Sequence, residues 1–235
     1  MKRLIQVLCV TTAVTVSAAA ADVQKLNGRI TAAHAVLHQL MMTPDKGIPE
    51  NIAEKATCVA VVPGFKKGAF IFGGQYGQGV VTCRTGHGWS APAFIQMTGA
   101  SFGLQAGGQS TDLVLIAMNQ QGMQNLLKDK LKLGGDAAVA AGPVGRDSQA
   151  STSVLANAAL LSYSRSKGIF GGIDLTGDVV NQNHDDTAAY YGSDVTFEKI
   201  LSGGVRTPLG ARHFVATVNQ LFKATGAHPM SHAAH

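Results

Sequence analysis

Charge is scarce in this chain. Of its 235 residues only 14% are Asp, Glu, Lys or Arg, against about 25% in an ordinary soluble domain. Aromatic residues are thin at 6%, with a single tryptophan. There is no C-x-x-C and no close pair of histidines with neighbouring thiols, which excludes the common sequence-legible metal centres. G-x-S-x-G is absent, and no nucleophile shares a motif with a base, which speaks against a hydrolase. No stretch beyond the N-terminus has a long apolar run, so none reads as a spanning helix. The net charge of +5 falls to +3 without Lys2 and Arg3. That is too mild for a nucleic-acid binder with its dense basic stripe.

The first 21 residues have the order of an export leader. Lys2 and Arg3 are charged, Leu4 to Val16 is apolar, and Ser17 to Ala21 is small, with cleavage expected after Ala20 or Ala21. The apolar part is short for a membrane helix and no cationic flank follows it. Export to a periplasm or the medium, with or without membrane association, is the expected localisation. Beyond the leader two cysteines are left, Cys58 and Cys83. In an oxidising compartment an even pair suits a disulfide; two buried thiols are the alternative.

What the chain has in quantity is glycine, 28 residues. Val62 to Val81 concentrates it. Pro63-Gly64 reads as a turn, Lys66-Lys67-Gly68 as a basic tip, and Phe70-Ile71-Phe72 as a strand followed by spaced glycines. The expectation is a tightly curved antiparallel hairpin. Ser164 to Gly172 repeats the design with Arg165 and Lys167, and Ser101 to Gly108 echoes it more loosely. Unequal spacing excludes a solenoid. Gln109-Ser110-Thr111 reads as a turn before the strand Asp112 to Met118. Asp174 and Asp178 are four apart, and on one strand they would share a face.

Helices bracket these strands. Val23, Leu26, Ile30, Ala33, Leu37 and Leu40 recur at steps of three and four within 22–42. Pro49 can start a short helix through Ala56. Asn119 caps Gln120 to Lys130, placing Lys128 and Lys130 at that helix's end with Lys132 beyond. Asn181 to Asp186 reads as a polar loop, with a helix from Val195 to Leu201. Leu209 to Ala224 carries Phe214, Val218 and Leu221 on one stripe. The fold class expected is α+β: one domain over 22–225, a curved antiparallel glycine-rich sheet or partial barrel packed with N-terminal, central and C-terminal helices. Residues 226–235, with His228, His232 and His235, read as a disordered tail.

The motifs taken together resemble a known family. They are Cys58 to Gly64, Lys67-Gly68-Ala69-Phe70, Tyr76 to Val80, Gly88-Trp89-Ser90-Ala91-Pro92, Ser101 to Gly107, Ala141 to Arg146, Tyr163 to Gly168 and Tyr190-Tyr191-Gly192. In that order they are similar to the SYLF domain family, over about Ile30 to Phe222. The cysteine pair is a departure from its pattern. The resemblance implies a lipid-binding domain without catalytic residues or cofactors, here resembling an exported bacterial member without SH3 or FYVE domains. It also implies phosphoinositide and actin-filament binding in some eukaryotic members; the export leader argues against actin here.

The residues offer a physical route to lipid. Lys66, Lys67, Arg165 and Lys167 would meet phosphate headgroups, and Phe65 and Phe70 the acyl chains, at the surface of an anionic membrane. The alternative is a structural or protein-interaction module of the envelope with no lipid ligand. Composition leaves the oligomeric state open. The leader is directly testable: intact mass of the exported protein should place its first residue at Ala21 or Asp22, and a chain still starting at Met1 rules the cleavage out.

Overall fold

A computed structural model describes residues 22–40, 42, 47–144, 158–166, 169–193 and 195–223, except for the side chains of 68–73, 101–109 and 170. The leader, the histidine tail, Lys167 and the Phe70 side chain lie outside the described residues. The strands are β1 Cys58–Thr85, β2 Gly88–Trp89, β3 Ala93–Ala117, β4 Lys130–Lys132, β5 Val139–Ala141, β6 Leu160–Ser166, β7 Ile169–Gly172 and β8 Val179–Gln182. The helices are α1 over 22–40, α2 Glu50–Lys55, α3 Gln120–Leu126, α4 His184–Tyr191, α5 Phe197–Leu201 and α6 Arg212–Leu221. No described helix is long and apolar enough to cross a membrane.

β1 and β3 form one long antiparallel ribbon, from Cys58↔Ala117 at one end to Val81↔Ala93 at the other. The ribbon doubles back on itself. The Arg84 amide donates to the Thr57 carbonyl at 2.7 Å, and Cys58 is bonded to Cys83. The two halves of β1 therefore lie side by side, with the halves of β3 outside them. Glycine makes this approach possible. A Cβ on Gly77 would meet Val62 Cγ1 at 2.6 Å, and one on Gly79 would overlap the Val61 carbonyl oxygen. At the bend β3 spends three residues, 104–106, where β1 spends only Phe70. The outer strand of a curved ribbon has the longer arc, so it needs the extra chain.

The expected curvature is present, but the hairpin expected within Val62 to Val81 is not: β1 runs through it as one strand paired with β3, and Lys66-Lys67-Gly68 lies in that ladder rather than at a tip. Pro63-Gly64 is a bulge rather than a turn: two residues of β1 oppose Asp112 alone. Gly64 takes φ +59° there, a conformation costly to any residue with a Cβ. Gln109, Ser110 and Thr111 do not turn either. They pair with Lys67, Lys66 and Phe65, so β3 runs unbroken.

The rest of the sheet grows from the edges of β3. β6 pairs with its C-terminal half, Asp112↔Arg165 to Ala117↔Leu160. β8 pairs with its N-terminal half, and β4 pairs with β8. β5 lies parallel and β7 antiparallel to β6. The result is a curled mixed sheet, a half-barrel with helices, in an α+β domain. Lys130 and Lys132 stand exposed on β4, not at a helix end as the sequence suggests. α3 stops at Leu126, and Lys130–Lys132 satisfies its backbone against Asn181–Val179 instead. Asn181 and Gln182 lie on β8, and Asn183 caps α4, so the expected polar loop is strand and helix.

Apolar layers cover both faces. Val59, Val61, Val114 and Phe94 face Leu26, Ile30 and Leu37 of α1 and Phe214 and Val218 of α6. Ala60, Val62, Leu113, Leu115 and Ile95 face the other way, toward Leu126, Phe197 and Ile200. This two-sided burial explains why Cys58–Val62 and Leu113–Ala117 are unbroken apolar runs. Each fully buried aliphatic side chain stabilises the fold by about 1.5–3 kcal/mol.

Two arginines tie the helices to the sheet. Arg84 donates to the carbonyls of Ala56 at 3.0 Å, Glu54 at 3.3 Å and Phe222 at 2.8 Å. It satisfies the C-terminal ends of α2 and α6, which have no partners of their own, and lies 4.9 Å from the Trp89 ring centre. Arg29 of α1 pairs with Asp186 of α4 at 2.6 Å and donates to Gln78 at 2.8 Å. The Tyr190 hydroxyl donates to Asn27 at 2.7 Å. α1 is thereby locked onto its own core.

The disulfide closes a loop of 25 residues, which the chain-entropy model values at about 3 kcal/mol. Replacing Cys58 and Cys83 together by Ala should lower the unfolding free energy by about 2–4 kcal/mol in urea melts. Reductant should bring the parent protein to the same midpoint and leave the variant unmoved.

Candidate functional site

The bend region holds the residues singled out in the sequence, and the structure treats them unequally. Lys66 is exposed on β1, paired with Ser110. Lys67 is half-buried and pairs with Gln109. Phe65 is fully buried in the core, packed against Gly77. Its aromatic ring is unavailable to a ligand. Arg165 of β6 is brought to the same end of the sheet as Lys66, because Asp112, its partner in register, lies two residues beyond Ser110.

Arg165 is already engaged. Its Nε donates to Asp112 Oδ2 at 3.0 Å, and Nη2 donates to the same oxygen. The other oxygen, Oδ1, accepts the Gly64 amide at 2.9 Å. One carboxylate thus holds the bulge of β1 and the guanidinium of β6 together across β3. Lys67 also faces acid. Asp178 is buried beside Gly99, within electrostatic reach of Lys67 and Asp174. Asp174 and Asp178 do not share a strand. Asp174 closes a turn onto Thr176, whose amide and hydroxyl bond to Oδ1 at 2.8 and 2.6 Å. Those bonds hold its carboxyl below the usual carboxylate range.

Asp178 behaves in the opposite way. Burial pushes its pKa from 3.8 up to about 6; Lys67 opposes the shift and Asp174 adds to it. The cation is therefore placed where it lessens the cost of a buried carboxylate.

The solvent-facing part of this end is of a different kind. Tyr76 is 47% exposed and Ile169 is 66% exposed. Lys66 and Ser110 are exposed as well. The registers Lys66↔Ser110, Asp112↔Arg165 and Ser166↔Ile169 set these residues across one end of the sheet, with Tyr76 on the returning half of β1. Sequence reasoning missed Tyr76 and Ile169 because each sits in an alternating strand whose exposed face is decided by the curl. It missed Asp112 because Ser110-Thr111 before it has turn composition.

The fold and this end of it define an α+β domain built on a doubled β-ribbon, with a mixed aromatic, aliphatic and basic rim. A family model described as Ysc84, Las17-binding protein actin regulator, matches residues 98–221. The chain belongs to this family, the SYLF-type domain that its motifs resemble. It is 36% identical over 168 residues to LAS seventeen-binding protein 3 of Saccharomyces cerevisiae, an alignment covering 70% of this chain and 36% of that protein. It is 34% identical over 171 residues to Protein YSC84 of the same yeast, covering 71% and 36%. With SH3 domain-containing YSC84-like protein 1 of Rattus norvegicus it shares 34% over 178 residues, covering 75% and 52%. The chain thus spans between about a third and a half of the length of these eukaryotic relatives.

These findings correct the expected partner. An anionic phospholipid surface was the expectation, with actin set aside. One of these yeast relatives is named for binding Las17, and the family model is described as a Las17-binding actin regulator, which points to protein partners. The geometry agrees physically. A guanidinium whose Nε and Nη2 are held by Asp112 has less left for phosphate.

The raised Asp178 pKa has a sign that can be measured. Below 3.8 the carboxyl is protonated in folded and unfolded chains, and its burial costs nothing extra. As pH rises through about 6 the folded state must ionise it, so its contribution to stability is lost between those values. Asp178→Asn should raise the melting temperature at pH 7.5 by several degrees and leave it unchanged near pH 3.5. An equal shift at both pH values would show that the carboxyl's charge is not the cause.

Proposed function

We propose that this chain is a non-catalytic protein-interaction module, and that it docks its partner with the bend end of the sheet. The family match carries the reading. The part of the Las17-binding and YSC84-like relatives that aligns with this chain is the domain described here. Physical features of the bend end support it. Exposed aromatic and aliphatic side chains beside a cation make the composition common in protein interfaces, where a few such anchors supply most of the binding energy. Tyr76 and Ile169 stand on hydrogen-bonded strands, so little backbone entropy is lost on docking. Lys66 gives the rim a positive charge that favours an acidic partner surface.

The relatives' names supply the probes. Filamentous actin co-sedimentation and capture by purified Las17 should each be run with the folded domain. At least one should retain it, and Lys66→Glu combined with Tyr76→Ser and Ile169→Ser should weaken retention by about tenfold or more at unchanged melting temperature. Retention by neither probe would sink the reading of partner class. Retention indifferent to the triple substitution would move the docking face elsewhere.

A further inference from the structure

Three histidines meet on helices that contribute nothing to Lys66, Tyr76 or Ile169. His34 and His38 are four apart on α1, so they stand one turn from each other on one face of the helix. His213 is the second residue of α6. The ring centre of His34 lies 6.0 Å from that of His38 and 6.3 Å from that of His213. His34 is half-buried, and the other two are exposed. Among the described residues only His184 is paired with a carboxylate, so these three imidazoles are not spent on ion pairs.

The helices that carry them are fixed against each other. Leu26, Ile30 and Leu37 of α1 share one apolar layer with Phe214 and Val218 of α6. Gly210, just before α6, lies so close to α1 that a Cβ on it would meet Asn27 Oδ1 at 2.0 Å. Asn27 is about two turns before His34, on the same face of α1. What is left free is rotation of the rings. At a Zn–N length of about 2.1 Å, two imidazoles on one tetrahedral ion have ring centres roughly 5 Å apart. The spacings here are about 1 Å longer. No three such side chains among the described residues already enclose an ion, so His38 and His213 must swing inward. Exposed side chains make such changes between staggered rotamers within nanoseconds. Burial, His38 and His213 all lower the pKa of His34, which favours the neutral ring that a metal needs.

We infer that His34, His38 and His213 together bind one late first-row divalent metal ion, such as Zn²⁺, and that the ion ties α1 to α6. His34 and His38 form the clamp, because imidazoles at this helical spacing reach one ion from one face. His213 supplies the third nitrogen from across the seam. An all-imidazole set suits Zn²⁺, Cu²⁺ or Ni²⁺ and is a poor match for Mg²⁺ or Ca²⁺, which take oxygen. Three protein ligands leave a fourth position to water. No thiol takes part, so the site differs in kind from the thiolate centres that the sequence excludes. This inference does not rest on the docking face proposed above.

The test is a titration with zinc chloride of the chain carrying His228→Ala, His232→Ala and His235→Ala, so that the tail cannot supply ligands. Calorimetry gives the affinity, and NMR follows the imidazole resonances. Saturable one-to-one binding in the micromolar range is expected. The resonances of His34, His38 and His213 should move together, those of His87 and His184 should stay in place, and magnesium chloride should move none. His38→Gln and His213→Gln should each weaken Zn²⁺ by about tenfold or more, since loss of even a supporting group at a metal site costs that much. His87→Gln and His184→Gln should leave the affinity unchanged. The inference is overturned by no saturable shift, by an equal response to Mg²⁺, by loss of binding on His184→Gln, or by an affinity indifferent to His213→Gln. Spectral dispersion identifies any variant that fails to fold; for such a variant, the joint movement of the three imidazoles before that substitution decides.

Discussion

When the Thr57 carbonyl accepts the Arg84 amide, two halves of one strand become neighbours, and most of the architecture follows. The β1–β3 ribbon can no longer lie flat. Its second strand is forced to the outside on both limbs, where one limb offers an edge to β6 and the other an edge to β8. The disulfide is placed at the mouth of this fold-back, where it resists the ribbon's opening. Small side chains are required where the limbs touch. That requirement accounts for a chain rich in glycine and poor in aromatics more simply than an affinity for apolar surroundings does.

Charge is used sparingly, and much of it works inside the structure. Asp112 joins the bulge at Gly64 to Arg165. Arg29 joins α1 to α4 and β1, and Arg84 collects three carbonyls from two helix ends. Such charge-assisted contacts are stronger than neutral ones and are costly to leave half made. Cations that look free in a sequence are, in this protein, often the inner joints between layers. A surface that would attract phosphate needs cations with unoccupied donors, and Arg165 already spends Nε and Nη2 on Asp112.

Belonging to the Ysc84 family therefore fits the physical reading in a particular way. The sheet is covered by apolar layers on both faces. A mixed rim such as that at the bend end suits recognition of another protein, because strands fix the positions of a few anchoring side chains. The relatives carry further sequence around a domain of this size, so the module can act as one unit within longer chains.

Local pattern alone determined a good deal. The three-and-four spacing from Leu26 to Leu40 set the packed face of α1, and Pro49 marked the start of α2. The apolar runs at Cys58–Val62 and Leu113–Ala117 announced buried strands. The curved α+β class and the family likeness were legible for the same reason: glycine placement and hydrophobic period are carried by neighbours in the chain. Tertiary structure alone decided whether Pro63-Gly64 turned or bulged, because the partner, Asp112, is 48 residues away from Gly64. It decided that Ser110-Thr111 continue a strand, since their backbone bonds are made by Lys66 and Phe65. It decided which cations meet carboxylates and which histidines meet each other, as at His34 and His213. Those outcomes depend on contacts between distant segments, whose energies appear only after the ribbon has closed upon itself.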